Sequence, residues 1–256
     1  MGQVMDHCAM CSGETVADES SEVQVKMRRV CWVPLESNPE VLNGFAWKVG
    51  LPKTWGFVDM YGLDPELLAM VPPGCCAVTL LFQCSPAIAR FKEGQRKRIE
   101  VEGQKISPDL VYLKQYVGNA CGTIACIHSL ANSAELVGLP SSSHLGRYLA
   151  SIAGKSPEAA GEMLAGASDL HQASEAFAVG GQTAAPAAMA RVDHHFIAFV
   201  EQGGCIYELD GCKAFAVNHG PVKGDFLSSV AQVVKANFVD PDPDNLHLNM
   251  MALVQN

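Results

Sequence analysis

A segment that is apolar on every helical face lies near the middle of the chain and limits the folds available to it. It begins at Cys121 and reads CGTIACIHSLANSAELVGL, with Ile124, Ile127 and Leu130 at helical spacing. A helix of this composition is stable only when other elements cover all of its sides. The sequence therefore predicts a buried central helix that starts at Cys121.

Helical patterns precede most of the strand patterns along the chain. The run CCAVTLLFQC is apolar throughout and shorter than a typical helix, which predicts a buried strand. Further on, HHFIAFVEQGGCIYELDG predicts two strands joined at Gly203-Gly204, and LNMMALV predicts a closing strand. Helices followed by hairpins are typical of an α+β fold, and 256 residues are enough for one such domain.

The N-terminal residues differ in composition from the rest of the chain. Residues 1–27 are polar and have no apolar period, which predicts a disordered tail ahead of one domain over residues 28–256. The tail contains His7, Cys8 and Cys11 in a single H-C-x-x-C motif, a weak zinc signal without a second pair. No secretory leader is visible, and no apolar run approaches the roughly 20 residues of a membrane span.

Charge and cysteine usage restrict the partners and the compartment. The net charge of -9 disfavours nucleic acid as the main partner and is compatible with a basic one. The basic run Arg96-Lys97-Arg98 lies in a charged helical pattern, for which a solvated helix face is the favoured interpretation. Ten cysteines are scattered, several of them in apolar stretches, so we expect free thiols in the cytoplasm and no membrane association.

Cys121 is also a candidate nucleophile. A thiol attacks as its thiolate, which the positive end of a helix favours, and Cys121 lies where a glycine-bearing turn meets the predicted helix. The side-chain amide of Gln115, six residues earlier, could share an oxyanion hole with the backbone N–H of Cys121. On these grounds alone, Cys121 could equally be one more small buried side chain.

The base that such a thiol needs could come from the predicted hairpin. His195 opens its first strand and Asp210 ends its second, so a tight hairpin would bring the two side chains together. His194 alternates to the opposite face of the strand. A half-buried histidine and the corner of an Asp-Gly turn would give the same spacing, and the sequence pattern leaves both interpretations open.

Six motifs in order along the chain resemble one family. They are WVPLESNPEV, WGFVDMYGLDPELLAMVP, NACGTIACIHSLAN, GQTAAP, VDHHFIAFV and YELDGCKAFAVNHG. The chain resembles the ubiquitin carboxyl-terminal hydrolases from about Arg29 to Val254, and within them the short single-domain members, of which the L3-like isozyme looks closest. It departs from the usual pattern at Ala125, Cys126 and Cys212, the last of which replaces a basic residue.

The resemblance implies a fold and a set of site residues. The fold is a papain-like α+β cysteine peptidase with a central antiparallel sheet flanked by helices and a knotted backbone. A crossover loop, matching about Ala173 to Val192, covers the active site and limits the leaving group to small or flexible adducts. The catalytic residues would be Cys121, His195 and Asp210, with Gln115 in the oxyanion hole.

The resemblance also implies the partner and the activity. Glu36 and Asp59 would bind the basic C-terminal region of ubiquitin. The expected activity is cysteine-dependent deubiquitination at the C-terminal glycine of ubiquitin by a monomer, without a metal or cofactor. Two alternatives stay open: a hydrolase for a close ubiquitin-like homologue, and a non-catalytic ubiquitin-binding protein. A papain-like peptidase of broad specificity is disfavoured, because it would lack the crossover loop.

Overall fold

The computed structural model describes residues 30–183, 186, 192–245 and 247–256. The predicted tail over residues 1–27, with its H-C-x-x-C motif, lies outside the described residues. So does most of the second half of the predicted crossover loop.

The described chain forms helices mainly in its first two thirds. The α-helices are α1 (Pro39–Val49), α2 (Pro65–Leu68), α3 (Pro86–Glu102), α4 (Cys121–Asn132), α5 (Ala134–Val137), α6 (His144–Ile152), α7 (Pro157–Ala165), α8 (Ser168–Ala178) and α9 (Phe226–Val234), and a π-helical segment (Lys235–Val239) continues α9. Capping explains where several of them begin: the Asn38 side chain accepts a hydrogen bond from the backbone N–H of Val41 at 2.9 Å. None of these helices has the length and apolarity to cross a bilayer.

Six antiparallel strands form one sheet between the helices. They are β1 (Trp55–Met60), β2 (Ala77–Gln83), β3 (His194–Gln202), β4 (Cys205–Leu209), β5 (Val217–Pro221) and β6 (Leu248–Gln255), in the spatial order β1-β6-β2-β3-β4-β5. The predicted strand in CCAVTLLFQC, the hairpin and the closing strand are confirmed. The predicted α+β class with a central antiparallel sheet is also confirmed, and the knot stays a prediction.

Each face of the sheet carries its own apolar cluster. In β3, Phe196 and Ala198 belong to the cluster that contains α4, whereas Ile197 and Phe199 belong to the cluster that contains α9. This alternation follows from the two-residue period of a strand. The sheet is therefore covered on both faces, and α4 packs across β2 and β3 on one of them.

The predicted central helix is confirmed as α4. It begins at Cys121, and every residue from Cys121 to Ala131 is buried. The helix contacts α1 and α6 as well as β2 and β3, so other elements cover it on several sides, as its composition requires.

The predicted start of the crossover loop, at about Ala173, is wrong. Ala173 to Ala178 are the second half of α8, and the helix buries Ala173 and Ser174. The Ser174 hydroxyl bonds the Thr123 hydroxyl of α4 at 2.7 Å. A sequence rich in alanine lacks large apolar side chains, but alanine is the strongest helix former, and α8 packs mainly against α1. The described non-helical part of the segment therefore begins after α8.

Candidate active site

The backbone just before α4 adopts an uncommon conformation. Asn119 has φ 58°, in the left-handed region that few residues other than glycine and asparagine adopt. Before it, Gly118 accepts a hydrogen bond from the N–H of Trp32 at 2.9 Å and packs against the Cys31 sulfur. The turn places Cys121 at the first position of α4, where backbone N–H groups have no partner within the helix.

A glycine lets the start of α4 approach β3. A Cβ added at Gly122 would lie 3.2 Å from both the Leu35 Cβ and a ring carbon of Phe196. Phe196 follows His195 in β3, so this close packing brings Cys121 next to the beginning of that strand. The Cys121 residue is 7% exposed.

The hairpin brings His195 and Asp210 into contact. The His195 Nε2 and the Asp210 Oδ1 are 2.7 Å apart, and both residues are 2% exposed. The second ring nitrogen, Nδ1, makes no hydrogen bond within the described part of the chain. Asp210 thus occupies one side of the ring and leaves Nδ1 available to the neighbouring thiol.

The electrostatics of this pair favour two opposite charges. Burial alone would lower the pKa of His195, but the Asp210 carboxylate outweighs burial and holds that pKa well above its usual value, with a contribution from the Cys121 side chain. Burial alone would raise the pKa of Asp210, but His195, followed by Lys92, holds it well below its usual value. Each side chain therefore favours the charged form of the other.

Asp210 has two further hydrogen-bond donors. The backbone N–H of Cys212 donates to Oδ1 at 2.9 Å, and the Lys92 ammonium donates to Oδ2 at 2.9 Å. Sequence analysis missed Lys92, because α3 was interpreted as a solvated helix. The signal was its spacing: Ile88, Lys92 and Gln95 follow at i, i+4 and i+7, and Ile88 and Gln95 are the residues that α3 buries.

Gln115 lies against the turn that follows Asp210. Its backbone N–H donates to the Gly211 carbonyl at 2.9 Å, and its side-chain Nε2 donates to the Val117 carbonyl at 3.0 Å. Gln115 is 3% exposed, and its Oε1 has no hydrogen-bond partner in the described ranges. One Nε2 hydrogen remains for another acceptor, which is what an oxyanion donor requires.

The segment that carries Gln115 is sensitive to bulk in α7. A Cβ added at Gly161 would overlap the backbone carbonyl of Lys114. We expect Gly161→Ala to lower the free energy of unfolding by about 1–3 kcal/mol and to reduce kcat by displacing Gln115. Chemical denaturation and steady-state kinetics would measure the two effects.

The matched control for that substitution is Gly94→Ala. Gly94 lies in α3, and a Cβ there would meet nothing within 4 Å. Alanine is the better helix former, so this variant should gain up to about 1 kcal/mol and keep full activity. Equal stability and kinetics in the two variants would contradict the predicted overlap.

The two predicted ubiquitin-binding carboxylates have different surroundings. Oε2 of Glu36 accepts hydrogen bonds from the backbone N–H of Thr183 at 3.0 Å and from its hydroxyl at 3.1 Å. Burial opposes ionisation of Glu36, but these hydrogen bonds hold its pKa below the usual value. Asp59 is partly exposed in β1, opposite Met251 of β6. Glu36 therefore contacts the segment after α8, where the predicted crossover loop continues.

Three potential metal ligands lie close together at the site. The ligand atoms of His195, Asp210 and Cys212 all lie within 4.8 Å of one another. However, the carboxylate of Asp210 already accepts hydrogen bonds from His195, Lys92 and Cys212, and one of these donors, Lys92, is an ammonium. Lys92 would repel a further cation, so these three residues fit a metal centre poorly.

Comparison with known proteins identifies the family. Residues 32–239 match the profile described as "Ubiquitin carboxyl-terminal hydrolase, family 1". The chain is 41% identical over 215 residues to the ubiquitin carboxyl-terminal hydrolase of Aplysia californica, covering 83% of this chain and 97% of that one. It is 36% identical over 221 residues to the human isozyme L1, covering 86% and 96% of the two chains.

A probable ubiquitin carboxyl-terminal hydrolase of Dictyostelium discoideum is 38% identical over 224 residues, covering 88% of each chain. The L3-like assignment stays a prediction, since none of these three relatives carries that label. The fold is similar to the UCH37 catalytic domain of Trichinella spiralis bound to ubiquitin vinyl methyl ester, with a TM-score of 0.68 at 18% identity over 91% of this chain and 99% of that one. The profile match and these relatives show that the chain belongs to the ubiquitin carboxyl-terminal hydrolases, a family of thiol-dependent cysteine peptidases.

Proposed function

We propose that this protein removes small or flexible adducts from the C-terminal glycine of ubiquitin, with Cys121 as nucleophile and His195 and Asp210 completing a triad. The observation that carries the proposal is the buried 2.7 Å contact between His195 and Asp210 beside the first residue of α4. A thiol, an imidazole and an orienting carboxylate are the groups that acyl transfer through a thioester requires.

The first half of the reaction forms an acyl-enzyme. The Cys121 thiolate attacks the carbonyl carbon of the C-terminal glycine of ubiquitin, and the carbonyl oxygen becomes an oxyanion. The remaining Nε2 hydrogen of Gln115 and the backbone N–H of Cys121 stabilise that charge. The His195 imidazolium then gives the proton on Nδ1 to the leaving amine, alcohol or thiol, and the bond to the leaving group breaks.

The second half releases ubiquitin. Neutral His195 takes a proton from water, and the resulting hydroxide attacks the thioester carbonyl. The tetrahedral intermediate collapses, the carbon–sulfur bond breaks, and the thiolate and the imidazolium are restored. Asp210 stays ionised throughout and keeps the Nε2–H of the ring directed toward itself.

Charge complementarity supports ubiquitin's basic C-terminal region as the substrate feature that is recognised. Glu36 is ionised and lies beside Thr183, on the segment that would continue into the crossover loop. Asp59 supplies a second, partly exposed carboxylate on β1. Two such groups would attract a basic extended peptide and would steer it toward the cleft. The protein's net charge of -9 acts in the same direction.

The test is labelling with ubiquitin that carries a thiol-reactive group at its C-terminus, measured by intact mass. Wild type should form a one-to-one adduct, and Cys121→Ala should form none. The same probe built on a ubiquitin-like protein measures whether the enzyme prefers the C-terminus of ubiquitin or that of the ubiquitin-like protein. No adduct on wild type, together with measurable ubiquitin binding, would contradict the proposal and favour a non-catalytic ubiquitin-binding protein.

A further inference from the structure

A partly buried lysine contacts the far side of the Asp210 carboxylate. Lys92 projects from α3, and its Nζ donates to the Asp210 Oδ2 at 2.9 Å. Its side chain is 21% exposed, against 2% for Asp210. The same ammonium lies over the ring of Phe82, 4.3 Å from its centroid, and 5.7 Å from that of Phe238. The lysine is thus held on three sides by groups that favour a cation.

Lys92 differs in this respect from the next lysine on its own helix. Lys97, five residues later, is 65% exposed and pairs with Glu93 across one helical turn. Such surface pairs contribute little to stability. A buried ammonium, by contrast, is costly to desolvate and persists only where its partners compensate for that cost. The burial of Lys92 therefore indicates a specific role for its contact with Asp210.

The charged groups around Lys92 explain why it stays protonated. Burial would lower the pKa of Lys92, but the carboxylates of Asp210 and then Glu208 outweigh burial and hold that pKa above its usual value. Glu208 is itself paired with Lys213 and His219. His195 faces the other oxygen of Asp210. Lys92 is therefore a cation at the pH where the triad works.

The two oxygens of Asp210 have separate partners. Oδ1 accepts from the His195 ring and from the backbone N–H of Cys212, while Oδ2 accepts from Lys92. Bonds at both oxygens fix the plane of the carboxylate, and that plane decides where the His195 ring points. Without Lys92, Oδ2 would be a buried anionic oxygen lacking this donor, and only the two hydrogen bonds at Oδ1 would hold the carboxylate.

We propose that Lys92 is a positioning residue of the catalytic site, which fixes and keeps ionised the carboxylate that orients His195. The catalytic unit would then be a chain of four side chains, from Cys121 through His195 and Asp210 to Lys92. This inference rests on the proposed function, because it assigns Lys92 a role in the same reaction.

Loss of Lys92 should lower activity and also move the pH profile. We expect Lys92→Met to reduce kcat/KM by roughly tenfold to a hundredfold. Losses of this size are typical when a residue that orients an active-site side chain is removed. Removing a cation favours protonation of the groups near it, so the pKa values of Asp210 and His195 should both rise. Both limbs of the pH profile of kcat/KM should shift upward, by roughly half a unit to one unit.

The experiment compares Lys92→Met with four further variants by hydrolysis of a fluorogenic ubiquitin C-terminal amide between acid and alkaline pH. Lys97→Met makes the same change at the exposed position of α3 and should keep wild-type kinetics. Lys92→Arg keeps the positive charge, so both limbs of its pH profile should lie where they do in wild type. Lys92→Gln keeps a donor without the charge, and should show the shifted limbs even if Lys92→Met fails to fold. Lys92→Met in an Asp210→Asn background should cost little further activity, since Lys92 acts through Asp210.

A structural role would give a different pattern. The amplitude of the profile would fall at every pH without movement of its limbs, and the effects of Lys92→Met and Asp210→Asn would add. Either result would overturn the inference. If wild type hydrolyses no ubiquitin substrate, the proposed function fails. The pH dependence of Cys121 alkylation by iodoacetamide, read by peptide mass, then tests the inference alone: a profile identical in Lys92→Gln and Lys97→Met would overturn it.

Discussion

Cys121→Ala is expected to abolish hydrolysis of ubiquitin C-terminal amides while leaving ubiquitin binding intact. The substitution removes only the sulfur, at a residue that is 7% exposed, so the fold and the surface that meets ubiquitin should not change. Without a nucleophile no acyl-enzyme forms, and kcat/KM should fall by more than about ten-thousandfold. Fluorogenic hydrolysis measures the loss, and titration calorimetry measures the dissociation constant of ubiquitin.

The matched control is Cys126→Ala on the same helix. Cys126 is fully buried, and burial raises the pKa of its thiol, so it stays protonated and unreactive. This variant removes the same atom five residues further along α4. It should lose a little stability and keep wild-type kinetics. Hydrolysis by Cys121→Ala at the rate of Cys126→Ala would refute the assignment of Cys121.

The parts of the fold that short-range patterns determine were predictable. The apolar composition of α4 required burial on several sides, and the helix begins at Cys121 as expected. The two strand-like runs on either side of Gly203-Gly204 predicted the β3–β4 hairpin. The spacing left the contact between His195 and Asp210 open beside a purely structural interpretation, and the structure places the two side chains 2.7 Å apart. Their catalytic roles stay a prediction.

Contacts between distant parts of the chain were not predictable. Strand β6, the last in sequence, lies between β1 and β2, and no local pattern specifies that order. Lys92 and Asp210 are 118 residues apart, and Glu36 and Thr183 are 147 residues apart. The extent of α8 was misjudged for another reason. Small residues such as Ala173 suit both a loop and a closely packed helix, and only packing against distant elements, mainly α1, decides between them.

The surroundings of Asp210 determine what an amide at this position would do. A carboxylate accepts hydrogen bonds at both oxygens, and here it accepts from His195, Cys212 and Lys92. Asparagine offers one acceptor and one donor group. If its oxygen faces His195, its NH₂ opposes the Lys92 ammonium. If it is turned over, the NH₂ donates to His195 Nε2, and the ring proton moves to Nδ1, the nitrogen next to Cys121.

Asp210→Asn should therefore lower kcat/KM by about a hundredfold to ten-thousandfold, a smaller loss than that of Cys121→Ala. The pH dependence should change as well. In wild type the imidazolium is lost only as the pH rises through the raised pKa of His195, and without the carboxylate that pKa should fall. The alkaline limb should then move to lower pH, opposite to the shift expected for Lys92→Met.

The profile of kcat/KM against pH measures both effects, with Asp169→Asn as the matched control. Asp169 is an exposed carboxylate that also bonds a histidine and a cation, His144 and Arg147, but it lies on α8 rather than at the hairpin. Its amide variant should keep the wild-type profile. If Asp210→Asn also kept it, His195 would not depend on Asp210 for its charge, and the buried pair would be structural rather than catalytic.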